Sequence, residues 1–498
     1  MSSYQKLQQH FVKIARYNHL SSICNWDQAA MMPAGGNQAR GEAMAELSVL
    51  IHQHTTAPQL ADWIAGAEQE NLSHPESVSL AAMKRRWQQA IQLPEDLVMA
   101  QSLATSTCEH AWREQRKNND WAAFKPNLEK VVELAREEAS VRAAGTNLSR
   151  YDAMLELYEP GMNSATIDNL FSNVKTWLPE FIQRAGEIQA HKTILTPQGP
   201  FAVVQQKELG LAVMRLLGFD FNHGRLDVST HPFCGGVPSD VRITTRYDET
   251  DFMKALFGVI HETGHARYEQ NLPKDWANLP VGEARSMGVH ESQSLFFEMQ
   301  LARSPEFTHL IAPIAAQLLV REQDPAFSQQ NLYAFNTRMK RGYIRVDADE
   351  LTYPAHVILR YEIERALIES KINVDDIPAL WDEKMQRYLG ISTLGNYRDG
   401  CMQDIHWPGG SFGYFPSYTL GAIYAAQQFA AAKRALPQLP NKISSGDLAP
   451  LFLWLKENIW SKASFLTTDE LLSTATGEPL NAEYFKQHLE QRYLHPTN

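Results

Sequence analysis

The string Val259-Ile-His-Glu-Thr-Gly-His-Ala266 constrains this chain more than any other. It sits in a stretch from Asp251 to Gln270 whose apolar spacing predicts a helix. On a helix, His261 and His265 stand one turn apart on one face, close enough for two imidazole nitrogens to meet a single ion. Glu262 is rotated by about 100° and lies beside that ion, where its carboxylate can take a proton from water. With 17 histidines in 498 residues, such a string is expected only ~0.04 times by chance. Neutral imidazoles and an open tetrahedral site suit one Zn²⁺ per chain, with Co²⁺ or Mn²⁺ as possible substitutes.

A catalytic zinc site needs a third protein ligand. Glu283, in a loop or at a helix start, and Glu291 both come within reach of the ion if the first helix ends near Pro273 and a second packs antiparallel to it. Glu291 falls inside the amphipathic run Ser286 to Leu301, which would hold it rigidly, so it leads while Glu283 stays open. His290 is adjacent to Glu291 and is expected to point elsewhere. Glu298, two turns on, can orient a ligand, although a surface carboxylate is the commoner role for such a residue.

The remainder reads as mainly helical. Gln38 to His54 carries an apolar stripe of Ala43, Leu47, Leu50 and Ile51, and segments 125–145 and 165–191 repeat the period. Asn163-Ser164 is expected to cap the second of these, and Thr467-x-x-Glu470 to form a capping box. Arg225 to Tyr247 alternates β-formers about a Gly/Pro loop, His231 to Pro238, and predicts a small sheet. No repeat or linker divides the chain, so residues 1–498 are expected to form one domain. A net charge of −11 argues against nucleic acid as partner. Four scattered cysteines, no apolar leader and no membrane-length apolar run favour a cytoplasmic protein.

The zinc string followed by His290-Glu-Ser-Gln293 resembles the carboxypeptidase Taq family of metallocarboxypeptidases. The same family pattern is matched by His231-Pro-Phe233, Asp240-Val-Arg-Ile-Thr244, Ile344-Arg-Val-Asp-Ala-Asp349 and Gly400-Cys-Met-Gln-Asp-Ile-His-Trp407. Thr263, Arg267 and Leu295 depart from it without touching a ligand. The resemblance implies a largely helical molecule whose two lobes flank a deep groove, with the small sheet beside the active site. That architecture is shared with neurolysin-like and angiotensin-converting-enzyme-like peptidases. It also implies a homodimer acting on peptides with a free C-terminus.

Residue by residue, the resemblance implies His261, His265 and Glu291 as zinc ligands and Glu262 as general base. By analogy with related peptidases, His406 and Tyr418 stabilise the oxyanion, with Tyr414 as the competitor. Arg345 is the family's candidate for holding the substrate carboxylate, although an arginine near Asp347 and Asp349 is more often a structural ion pair. Arg242 and Thr244 share one side of a strand whose backbone would align the peptide, and His231 is expected to be a hydrogen-bonded loop residue. Two other readings of the residues stay open at this point: an oligopeptidase or aminopeptidase with the same metal chemistry, and a non-catalytic helical scaffold.

Overall fold

The structure is a computed structural model that describes residues 1–495. Among these, twenty α-helices surround one three-stranded sheet. The expected helices form at Asn37–Thr55, Trp121–Ala143 and Ser164–Gln189. Asn163 accepts the Thr166 N–H at 2.9 Å, and Thr467 and Glu470 close the capping box. The stripe on the first of these helices behaves differently. None of its residues is buried, and Ala43 and Leu50 face solvent. Apolar spacing reports a possible buried face, and only a packing partner makes it one.

The sheet runs β1 (Gly224–Val228), β2 (Cys234–Val237) and β3 (Asp240–Thr245), in spatial order β1-β3-β2. β3 lies parallel to β1, with Arg242 opposite Arg225, and antiparallel to β2, with Arg242 opposite Gly235. β2 occupies part of the expected loop, because its Gly235-Gly236 pair lacks the side chains that signal a strand. β3 is therefore the central strand with both edges paired, and it cannot accept a peptide as an added strand. Leu226, Val241 and Ile243 pack one face of the sheet against Val259 and Ala266. On the other face Trp26 lies under the Arg242 and Arg225 guanidinium groups, 4.2 and 5.2 Å from them.

Apolar packing is organised in more than one cluster. Tyr4, Leu7, Phe11, Leu60, Ile64 and Met83 form a core of their own that closes on Leu279 and Val281. The large core spans Cys108 to Leu494. Within it three helices converge: the HExxH helix (Phe252–Glu269), the glutamate helix (Met287–Leu295) and the tyrosine helix (Pro416–Ala435). Glycines allow the approach. A Cβ on Gly264 would strike the Gln293 carbonyl oxygen, and one on Gly421 would stand 2.7 Å from the Glu291 Cγ. All four cysteines are free, and among the described residues no helix is long and apolar enough to cross a membrane.

Candidate active site

Asp251 caps the HExxH helix by accepting the Met253 N–H at 3.1 Å. Against that helix, at the Gly264 contact, the glutamate helix delivers Glu291. Its Oε2 lies 3.4 Å from His265 Nε2 and 4.0 Å from His261 Nε2. One donor atom from each of the three residues lies within 4.8 Å of the others. Ligands around a tetrahedral ion bonded at about 2.0–2.2 Å stand roughly 3.4 Å apart, so the set needs only a slight contraction. Glu283 is elsewhere, on the surface, paired with Arg86.

Charge also fits a cation. Glu262, Glu291 and Glu298 crowd two imidazoles in a buried space. Burial disfavours a charged His261, yet the carboxylates of Glu291, Glu298 and Glu262 outweigh it and push its pKa up to about 10. The proton so held is a stand-in for positive charge, and a dication would displace it. For His265 burial wins and lowers the pKa to about 4, which leaves a neutral imidazole. Burial raises Glu262 to about 7, in the range suited to a general base.

Behind the ligands the two histidines are held differently. His261 Nδ1 meets Glu298 Oε2 at 2.9 Å, and Arg303 donates to Glu298 Oε1 at 2.9 Å. Glu298 is thus no surface carboxylate. It lies in a π-helical stretch, Phe296–Ala302, that continues the glutamate helix and alters its register. His265 Nδ1 meets His290 Nδ1 at 2.6 Å, and His290 Nε2 meets Glu269 at 2.8 Å. His290 therefore does not point away. The helices pass so closely that Glu291 reaches one nitrogen of His265 and its chain neighbour reaches the other. The signal for Glu269 was its position one turn beyond His265 on the same helix face.

The tyrosine helix starts beside this cluster. Tyr418 and Gly421 lie three apart on its face, and Gly421 abuts Glu291. Tyr418 Oη is 3.1 Å from His406 Nε2, and the Tyr414 ring stacks on the same imidazole at 5.6 Å. Burial raises the Tyr418 phenol and lowers His406 to about 3, so both are neutral.

Arg345 is buried, and Asp347 and Asp349 are not its partners. Asp404 is, accepting from Nη2 at 2.9 Å and Nε at 3.3 Å, while Nη1 donates to Tyr353 at 3.0 Å. Asp349 instead caps a turn, accepting from the backbone of Lys340, Leu351 and Thr352. Burial opposes ionisation of Asp404, but Arg345 and Arg360 hold its pKa well below the usual carboxylate range. Asp404 lay inside the matched motif Gly400 to Trp407, but nothing in the sequence paired it with Arg345, 59 residues away.

Arg242 pairs with Asp240 at 2.7 Å, and Thr244 is buried against Ser229. His231 is exposed, and among the described residues only its carbonyl is engaged, by the Ser229 hydroxyl. The departing residues all serve packing. Thr263 donates to the Val259 carbonyl, Arg267 stacks on Phe452 and Trp460, and Leu295 is buried.

Known proteins resemble this chain over nearly its whole length. Residues 6–493 match the sequence model of the carboxypeptidase Taq (M32) metallopeptidases. The chain is 36% identical to thermostable carboxypeptidase 1 of Thermus thermophilus, covering 99% of this chain and 98% of that one. It is 35% identical to carboxypeptidase 1 of Bacillus subtilis, covering 97% and 96%. The solved structure of Trypanosoma cruzi metallocarboxypeptidase 1 superposes with a TM-score of 0.97 at 46% identity, over 99% of both chains.

Proposed function

Because the chain belongs to the carboxypeptidase Taq (M32) family and is a metallocarboxypeptidase, we propose that it works with one zinc ion held by His261, His265 and Glu291. The observation that carries this reading is the convergence of those three donors with Glu262 at their side. Family membership removes the scaffold reading and sets the direction of attack at the C-terminus. Co²⁺ or Mn²⁺ could replace zinc in the same donor set.

A zinc ion bound there supplies Lewis acidity for the scissile carbonyl and for water. Glu262 accepts the proton that water loses on attacking the carbonyl carbon, then returns it to the departing amine as the C–N bond breaks. Tyr418 donates its phenol hydrogen to the carbonyl oxygen as negative charge develops. His406, neutral and bonded to that phenol, fixes its orientation, and Tyr414 braces the imidazole. The helical spacing of Tyr418 and Gly421 toward Glu291 favours Tyr418 over Tyr414 as donor.

Arg345 holds the free carboxylate of the substrate. Three of the five N–H groups of a guanidinium are engaged here, which leaves two. Its guanidinium lies 4.7 Å from the Tyr418 ring centroid, beside the reacting centre. Arg242, tied to Asp240 and Trp26, supports the sheet and is the weaker candidate. The backbone that aligns the peptide is β2, whose backbone groups bond only to β3 among the described residues. We place the reaction in one catalytic unit of two lobes, in a cytoplasmic homodimer. The test combines metal analysis with products from N-blocked peptides in free-acid and C-amidated form. One zinc per chain and release of single C-terminal residues from the acid form is the expected result; cleavage of both forms alike would refute the carboxylate anchor.

A further inference from the structure

Glu159 belongs to none of the motifs above, yet its side chain is 1% exposed. Its Oε1 accepts from the Gly288 N–H and from the Ser417 hydroxyl, the latter at 2.8 Å. The carbonyl of its neighbour Tyr158 accepts the Met287 N–H at 3.0 Å. The Tyr158 ring meets Tyr414 edge to face at 5.2 Å. Met287 and Gly288 open the helix that carries Glu291, and Ser417 sits in the first turn of the helix that carries Tyr418. Two consecutive residues therefore grip the starts of both helices. Gly288 makes room for this, since a Cβ there would stand 2.8 Å from the carboxylate oxygen.

Burying a carboxylate is costly, and Oε1 is the atom that joins the two helix starts. Burial also pushes the carboxyl up to about 7, against the pull of Ser417, Gly288, Ser286 and Arg285. What the arrangement does provide is a fixed distance. Both helices are stiff, Glu291 lies one turn beyond Gly288, and Tyr418 follows Ser417 directly.

We propose that Glu159 is a positioning residue for the peptidase reaction, setting the separation of Glu291 and Tyr418 by holding the first turns of their helices on one oxygen. This rests on the reading of Tyr418 as the donor to the carbonyl oxygen. The acceptor oxygen carries the role, so Gln, whose amide oxygen reaches both donors, should substitute. Asp is one methylene short and Ala leaves both donors unpaired.

The experiment uses the full-length, zinc-loaded enzyme and one N-blocked dipeptide acid. It measures kcat and KM for wild type, Glu159→Gln, Glu159→Asp, Glu159→Ala, Tyr418→Phe and the Glu159→Ala/Tyr418→Phe double variant. Glu159→Ala and Glu159→Asp should lose on the order of 10–100-fold in kcat with little change in KM, the scale of an ångström's misplacement. Glu159→Gln should stay within about threefold of wild type, and Glu159→Ala should cost less than about threefold once Tyr418 is already Phe. A purely structural role would give the same penalty in both backgrounds, and that result, or wild-type kcat in Glu159→Ala, overturns the proposal. If Glu159→Ala does not fold, Glu159→Asp takes its place in the cycle. If Tyr418→Phe alone keeps wild-type kcat, the donor reading has failed. The zinc dissociation constant of Glu159→Asp then decides: a rise of about tenfold upholds the grip on Glu291, and no change overturns it.

Discussion

The Nδ1 atoms of His265 and His290 lie 2.6 Å apart, so one imidazole donates to the other. For His265 Nε2 to face a metal, its proton must sit on Nδ1 and be given to His290. His290 is then an Nε2–H tautomer donating to Glu269, at 2.8 Å. The partner of His261 is a carboxylate directly, whereas that of His265 is a carboxylate relayed through a second ring. His290→Ala should weaken metal affinity by about 10–100-fold, the usual cost of losing such a support. Competition with a chromophoric chelator measures it, and added imidazole should restore part of the loss. Unchanged affinity would make His290 a packing residue.

Glu262→Gln should keep metal and lose turnover. The amide is nearly the same shape but cannot accept the proton of water. By contrast Glu291→Ala should lose metal on dialysis, and Glu283→Ala, altering only a surface pair with Arg86, should not. Robust hydrolysis by a metal-loaded Glu262→Gln protein would remove Glu262 from the reaction.

Tyr418→Phe should lower kcat by about 2.7–4 kcal/mol of barrier while KM changes little, the scale of one lost oxyanion donor. Tyr414→Phe should cost less, since its ring, which stays, stacks on His406. The reverse pattern would exchange the two roles.

Arg345→Ala should reduce kcat/KM for free-acid peptides by a factor on the order of 10² or more and matter far less for C-amidated ones. Lys should rescue only partly, because it lacks the planar fork that Asp404 holds in place. Asp404→Asn should weaken the same selectivity by loosening that fork. Should the preference for the acid survive Arg345→Ala, another cation binds the carboxylate.

Glu350 is buried between Arg492, at 2.8 and 3.0 Å, and His488, at 3.2 Å. Burial opposes its ionisation, but the Arg492 charge, the His488 hydrogen bond and the nearby Arg303 outweigh it and hold the pKa at about 2. A carboxyl depressed in the folded state contributes stability above its unfolded pKa of about 4.3, lost as pH falls from there toward 2. Glu350→Gln should flatten that part of the stability profile. At neutral pH it should cost about 3–5 kcal/mol, because the Arg492 charge keeps its bond to the Met299 carbonyl but loses its carboxylate. Denaturant titrations from pH 2 to 7 compare the two proteins, and parallel profiles would assign the acid sensitivity elsewhere.

Local spacing was readable wherever a single helix turn defines the geometry. His261, Glu262 and His265 needed only the helical period, as did the caps at Asn163 and Thr467. The stripe Ala43-Leu47-Leu50-Ile51 shows the limit: the helix forms, but only Leu47 and Ile51 are half-buried, since burial belongs to a pair of surfaces. β2 was hidden by its own glycines, and its presence moved the free strand edge away from β3.

The amino-acid sequence by itself determined a metal-binding helix, a proton acceptor beside it, a mainly helical chain and membership of a peptidase family. Only the tertiary structure decided that His290 supports His265, that Asp404 grips Arg345, that Glu298 stands behind His261, and that Glu159 joins two helices. The physical reason is distance along the chain. Helical periodicity relates residues three or four apart, whereas these contacts depend on how closely two backbones pass, and glycines such as Gly264, Gly288 and Gly421 set that approach.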